Sequence, residues 1–131
     1  MNLQSDFVWV DKHVVLAVHA EQVARHGGLA GIREDSLLAP ALARPKNLKA
    51  YENASIAKCA AACIYGIIKN HPFLDGNKRT GFVVGITFLL LNGYYINASE
   101  SDVAITILSV ASGGMTEPAL IEWLESKLIK P

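Results

Sequence analysis

Cysteine is scarce, neither charge is in excess, and no apolar run is long enough to cross a bilayer. Each absence removes a class of protein. The two cysteines, Cys59 and Cys63, stand four apart in a helical stretch. Without a nearby His or a second pair they make a poor zinc site, and a disulfide inside one helix is disfavoured, so both are read as reduced core thiols. Twelve Lys and Arg balance twelve Asp and Glu, which removes the bulk electrostatic case for nucleic acid or an anionic membrane as partner. The longest apolar run, Phe82 to Leu91, contains Gly85 and Thr87 and falls well short of the roughly 20 residues a membrane helix needs. The opening stretch MNLQSDFVWVDK lacks a basic start, an apolar centre and a small-residue cleavage site, so no signal peptide is expected and the default location is the cytoplasm. Internal repeats, low-complexity tracts and strong strand patterns are also missing, apart from a short extended candidate in GYYINA.

What remains is an apolar chain of 131 residues, 51% hydrophobic, the size of one packed domain, 1–131. Its pattern is helix after helix. Asp11 caps a first helix carrying Val14, Val15, Ala17 and Val18 at helical spacing and ending at Gly27–Gly28. After the loop GGLAGIRE, Asp35 opens a short second helix through Leu37, Leu38 and Leu42, which Pro45 is expected to end. Residues 44–53, RPKNLKAYEN, show no clear helical period and read as an exposed, partly extended segment. The Ala-rich stretch 54–70 is apolar enough to be buried on several sides. A further helix runs from Asn77 to Leu91, closed by Asn92–Gly93; Ser99 starts another with a capping-box pattern; Thr116 caps the last, with Pro118 in its first turn. The fold class is all-α, about six helices around a central apolar one.

The chemistry concentrates in residues 70–82, NHPFLDGNKRTGF. A helix N-terminus carries unpaired N–H groups and a partial positive charge, and so attracts anions. Here it is preceded by Gly76, which permits close backbone approach or unusual dihedrals, and decorated by Asn77, Lys78 and Arg79. Lys78 and Arg79 stand at the wrong end of a helix for dipole compensation, so stability does not account for them. Arg also grips phosphate oxygens in a fork. Asp75 offers a hard oxygen suited to a Mg²⁺ that bridges phosphates, and the His71 imidazole can take a proton from a hydroxyl. Taken singly, each has a plainer reading: His71 as a helix C-cap, Asp75 and Asn77 as turn and N-cap residues, Phe73 as a core anchor. Together they describe a phosphoryl- or nucleotidyl-transfer site that is not of the Walker type.

The run HPFLDGNKRT, residues 71–80, resembles the signature H-x-F-x-[DE]-[GA]-N-[GK]-R of the Fic/Doc (Fido) family, and residues 16–34, LAVHAEQVARHGGLAGIRE, resemble the start of its Doc, or death-on-curing, branch. The resemblance implies an all-helical Fido fold with the motif between two central helices. It implies ATP, or another nucleoside triphosphate, as co-substrate, with His71 as base, Asp75 holding Mg²⁺, and Gly76, Asn77, Lys78 and Arg79 holding phosphates. Lys69 occupies the place of a basic residue that assists them or is merely a solvated helix-end lysine. AMP-transferring members usually carry Gly and Arg where this chain has Lys78 and Phe82. Those two residues match the Doc branch, toxins that resemble kinases and phosphorylate a threonine of elongation factor Tu, inhibiting translation. Gly76, by contrast, matches the AMP branch. The family's target-aligning flap falls at Arg44, Pro45, Lys46, Asn47, Leu48 and Lys49, alternatively an ordinary polar loop. The self-inhibitory pattern [ST]-x-x-x-E-[GN] of many Fic enzymes is not found in the sequence. That implies restraint in trans by a Phd-like antitoxin whose helix lies in an apolar groove; Trp9 and Trp123 either line that groove or belong to the core. The expectation is therefore a Doc-like toxin kinase, with an AMP transferase or an inactive binding module as alternatives.

Overall fold

The computed structural model describes residues 6–130; of the stretch read for a signal peptide, residues 1–5 lie outside it. Six α-helices follow one another: α1 (Lys12–His26), α2 (Leu38–Glu52), α3 (Ile56–Asn70), α4 (Asn77–Leu91), α5 (Glu100–Ser112) and α6 (Glu117–Lys127). Two short strands, β1 (Tyr95–Ile96) and β2 (Leu128–Ile129), pair antiparallel and tie the chain after α4 to the end of α6. Among the described residues no helix is long and apolar enough to cross a membrane.

The all-α expectation holds, and α3 takes the centre. Ten of its fifteen residues are buried, and it packs against α2, α4, α5 and α6. Ala60, Ala61 and Ala62 leave room for neighbours on several sides, and Ile64 and Ile67 fill the space between them. Helix α4 approaches closely because it presents glycine: a Cβ on Gly85 would stand 2.3 Å from Ile64 Cγ1. The cysteines are free and buried as expected; burial pushes the Cys59 thiol up to about 11 and that of Cys63 to about 12, so both stay protonated at neutral pH.

Capping explains where most helices begin. Side-chain oxygens of Asp11, Ser55, Ser99 and Thr116 accept the N–H groups of Val14, Lys58, Asp102 and Ala119, each such cap being worth about 1 kcal/mol. Helix α2 instead continues a single 3-10 turn, Asp35–Leu37.

Residues 44–53 depart from expectation. They are not extended: α2 runs through Pro45 to Glu52, and Asn53 closes it in the left-handed conformation at φ 51°. Pro45 forfeits one helical hydrogen bond, but tertiary packing outweighs that loss. Leu38, Ala41 and Pro45 form a buried stripe with Leu48 behind it, and Gly66 of α3 lies against Ala41. Arg44 pairs with Glu117 at 2.5 Å, joining α2 to the start of α6. Lys49 reaches Asn53 Oδ1 and lies over the Phe7 ring.

The tryptophans belong to packing. Trp9 stacks on Phe88 with ring centroids 5.3 Å apart, and Trp123 packs partly buried against the core.

Candidate active site

The turn joining α3 to α4 is built by side chains that engage main chain. Phe73 is fully buried, anchoring the turn as expected. Asn77 encloses it: Oδ1 accepts the Phe73 N–H and Nδ2 donates to the Phe73 carbonyl, both at 3.0 Å. This corrects one reading of Asn77: it is not the N-cap, a position held by Gly76, and its buried amide bonds Phe73 at both ends. What Asn77 presents to a ligand is its main-chain N–H at the helix start.

The N-terminus of α4 differs from those of α1, α3, α5 and α6. Gly76 sits at φ 78° and supplies no side chain, and among the described residues none caps this end. The N–H groups of Asn77, Lys78 and Arg79 precede the first intrahelical bond, from Thr80 N to Gly76 O, so they face outward with the positive end of the helix dipole. Lys78 and Arg79 are exposed beside them. A cleft of about 410 Å³ opens here, lined by His71, Asp75, Gly76, Asn77, Lys78, Arg79, the two glycines that end α1, Ile68 and Ala111.

His71 closes α3 in the left-handed conformation at φ 55°, its N–H donating to Ile67 O at 3.1 Å. The plain reading holds, since the residue is the C-cap of α3, and His71 also lines the cleft. Asp75 Oδ2 accepts the Leu29 N–H at 2.9 Å, which uses one of a carboxylate's roughly four acceptor positions. A lone carboxylate beside a phosphate cradle suits Mg²⁺, which keeps waters and substrate oxygens as its other ligands. Among the described residues no group of three His, Cys, Asp or Glu assembles into an all-protein cage.

Two expected members are elsewhere. Lys69 points along α3, its ammonium 5.6 Å from the Tyr65 ring centroid, and is not among the cleft-lining residues. Arg44, Pro45, Lys46, Asn47, Leu48 and Lys49 are helical and away from the cleft, so they offer no strand edge beside it. The extended segment beside the motif lies between α1 and α2. Ile32 and Phe73 form an antiparallel bridge, Arg33 and Glu34 donate main-chain N–H groups to Pro72 O, and Leu74 N donates to Gly31 O.

Sequence reading also missed His19. It is buried in α1, stacks on Phe73 at 3.8 Å, and its Nε2 lies 2.8 Å from Asp75 O. No local signal marks it: of the three buried residues of α1, Val15, His19 and Gln22, two are polar.

A family model described as Fic/DOC family matches residues 9–89, well over half of the chain. The chain belongs to the Fic/DOC family. Within that family it is 37% identical over 81 residues to a protein named Toxin Doc from Mycolicibacterium smegmatis, a match spanning 59% of this chain and 60% of that relative's length. It is 25% identical over 111 residues to one named Protein kinase doc from Escherichia phage P1, covering 84% of this chain and 87% of the relative. The Fic/DOC match includes the whole α3–α4 turn, from His71 to Arg79.

Proposed function

We propose that this chain is a Doc-like toxin of a toxin–antitoxin pair, a single-domain protein kinase that transfers the terminal phosphate of a nucleoside triphosphate to a threonine of elongation factor Tu in the cytoplasm. One observation carries the reading: the uncapped N-terminus of α4, flanked by exposed Lys78 and Arg79, shares a cleft with His71 and Asp75. The relatives named as a toxin and as a kinase support it.

The N–H groups of residues 77–79 and the charges of Lys78 and Arg79 hold the phosphates. Asp75 would hold Mg²⁺, which neutralises phosphate charge when bound. His71 accepts the threonine proton as the hydroxyl oxygen bonds to the terminal phosphorus. The bond from that phosphorus to the bridging oxygen breaks, and the nucleoside diphosphate leaves with the electron pair. The target-aligning role passes from residues 44–49 to residues 28–34, an exposed segment in which Ile32 already pairs with the motif turn. An apolar groove of about 600 Å³ adjoins the cleft, with Phe82, Val83, Val103, Ile107 and Leu108 along it and Lys78 and Arg79 at its rim. It suits a helix of a Phd-like antitoxin that reaches the phosphate site.

Gly76 at φ 78° favours a second reading, AMP transfer, because glycine at this place is the Fic pattern. The purified protein is incubated with elongation factor Tu and ATP labelled at either the α or the γ phosphorus. Label transferred from the γ position alone is expected. Transfer from the α position alone replaces the kinase by an AMP transferase, and transfer from neither rejects both in favour of an inactive binding module.

A further inference from the structure

His71 occupies a backbone conformation that its sequence context opposes. It is left-handed at φ 55° without being glycine, and the proline that follows pushes a preceding residue toward extended geometry. Such a conformation persists only where its surroundings over-determine it. Besides the His71 N–H bond to Ile67 O and the Glu34 N–H bond to Pro72 O, these surroundings centre on one residue, 38 positions earlier. Arg33 Nε donates to His71 O at 2.7 Å and Nη2 to Asn70 O at 3.0 Å, while the Arg33 main-chain N–H donates to Pro72 O at 2.7 Å. Three consecutive carbonyls, those of residues 70, 71 and 72, are thus held by a single side chain and its backbone. The first two are carbonyls at the C-terminal end of α3, where a cation is also favoured by the helix dipole.

The segment that carries Arg33 also touches the other half of the site. The Leu29 N–H holds Asp75 Oδ2, and Gly28 lies so close that a Cβ on it would meet Asp75 Cβ at 3.2 Å. One stretch of chain therefore registers His71 against Asp75 from both sides.

We infer that Arg33 is a positioning residue of the reaction: through the His71 carbonyl it fixes the left-handed turn that puts the imidazole into the cleft. This rests on His71 being the base. The guanidinium makes two donations in a fixed plane. Lysine, with a single ammonium, cannot reproduce both, so Arg33→Lys is expected to retain the turn only in part.

Three proteins are compared, the parent, Arg33→Ala and Arg33→Lys, by phosphate-transfer kinetics, thermal melting and the NMR signal of the His71 ring. A base displaced by about 1 Å loses on the order of 100-fold in rate. Arg33→Ala is expected to lower kcat by about that factor with KM for ATP within about twofold of the parent, and Arg33→Lys to recover roughly half of the loss on a logarithmic scale. The His71 ring signal shifts in Arg33→Ala while those of His13 and His26 stay in place. Parental kcat in Arg33→Ala overturns the inference, as does a loss in which KM for ATP rises in step. If Arg33→Ala does not fold, Arg33→Lys decides by the same kcat and ring-signal criteria. If the parent itself transfers no phosphate, the kinase reading fails separately, and the ring signal still decides: a shift confined to His71 supports positioning, and an unmoved signal rejects it.

Discussion

Helices α1, α3, α5 and α6 all begin on a side-chain cap, whereas α4 begins on a left-handed glycine with no cap at all. Each capped end has one of its free N–H groups taken up by a side-chain oxygen of its own. The uncapped end leaves its N–H groups to whatever enters the cleft, and surrounds them with two cations that the helix dipole opposes. Stability alone favours the first design, and the second is what a ligand site at this helix end would require. The Asp75 carboxylate sharpens the contrast: it stands next to a helix start, as a cap would, yet accepts no N–H of that helix and accepts instead from Leu29 of another segment.

The largest expected effect separates chemistry from folding at this end. His71→Ala should lower phosphate transfer by on the order of 10²–10⁴-fold, the usual value of a general base. Its melting temperature should stay close to the parent's, because removing an exposed imidazole leaves the cap to the backbone. Labelled-phosphate transfer and a thermal melt on the same preparation check both halves. Parental activity in the variant would remove His71 from the mechanism and leave α4 a helix with an unexplained start.

The capped ends were legible in the sequence and the uncapped one nearly so, because both signals are local. Asp11, Ser99 and Thr116 announce their helices within four residues, and the bounds of α4 were read directly from Gly76 and Asn92. The motif residues His71, Asp75, Gly76, Lys78 and Arg79 were found together because one turn carries all five. What failed was non-local. Pro45 is a helix terminator by local rule, but in the folded chain it sits on the α2 stripe against α3. Arg33 and His19 act on the turn from 38 and 56 residues away, a separation at which no periodicity or spacing gives notice. The amide of Asn77 closes the turn around Phe73, a role that its residue type alone does not announce.

A medium effect should appear on adding ligand. An end that waits for an anion is stabilised by one, and at a nucleotide concentration of 100 times Kd the gain is about 2.7 kcal/mol. Mg²⁺–ATP is therefore expected to raise the melting temperature by several degrees. Replacing Arg79 by Gln removes one charge-assisted contact, worth about 1.5–3 kcal/mol, and so should weaken nucleotide binding by roughly 10- to 100-fold. Equal thermal shifts in parent and variant would mean that the nucleotide does not engage this helix end.

The smallest effect tests the other side of the comparison. Ser99 Oγ accepts the Asp102 N–H at 3.1 Å and starts α5, the helix that supplies Ala111 to the cleft wall. Ser99→Ala should cost about 1 kcal/mol of stability, as lost N-caps do, because an N–H that was satisfied in the fold must then find water. The side chain lies on the exposed outer end of α5, so transfer and the ATP-induced thermal shift should both match the parent's. Urea unfolding measures the first and the kinase assay the second. A capped end whose loss lowered activity as His71→Ala does would erase the distinction between finished and unfinished helix starts. A loss of stability with activity intact fixes it in energetic terms: the side-chain caps hold the scaffold, and the uncapped start of α4 is left to serve the cleft.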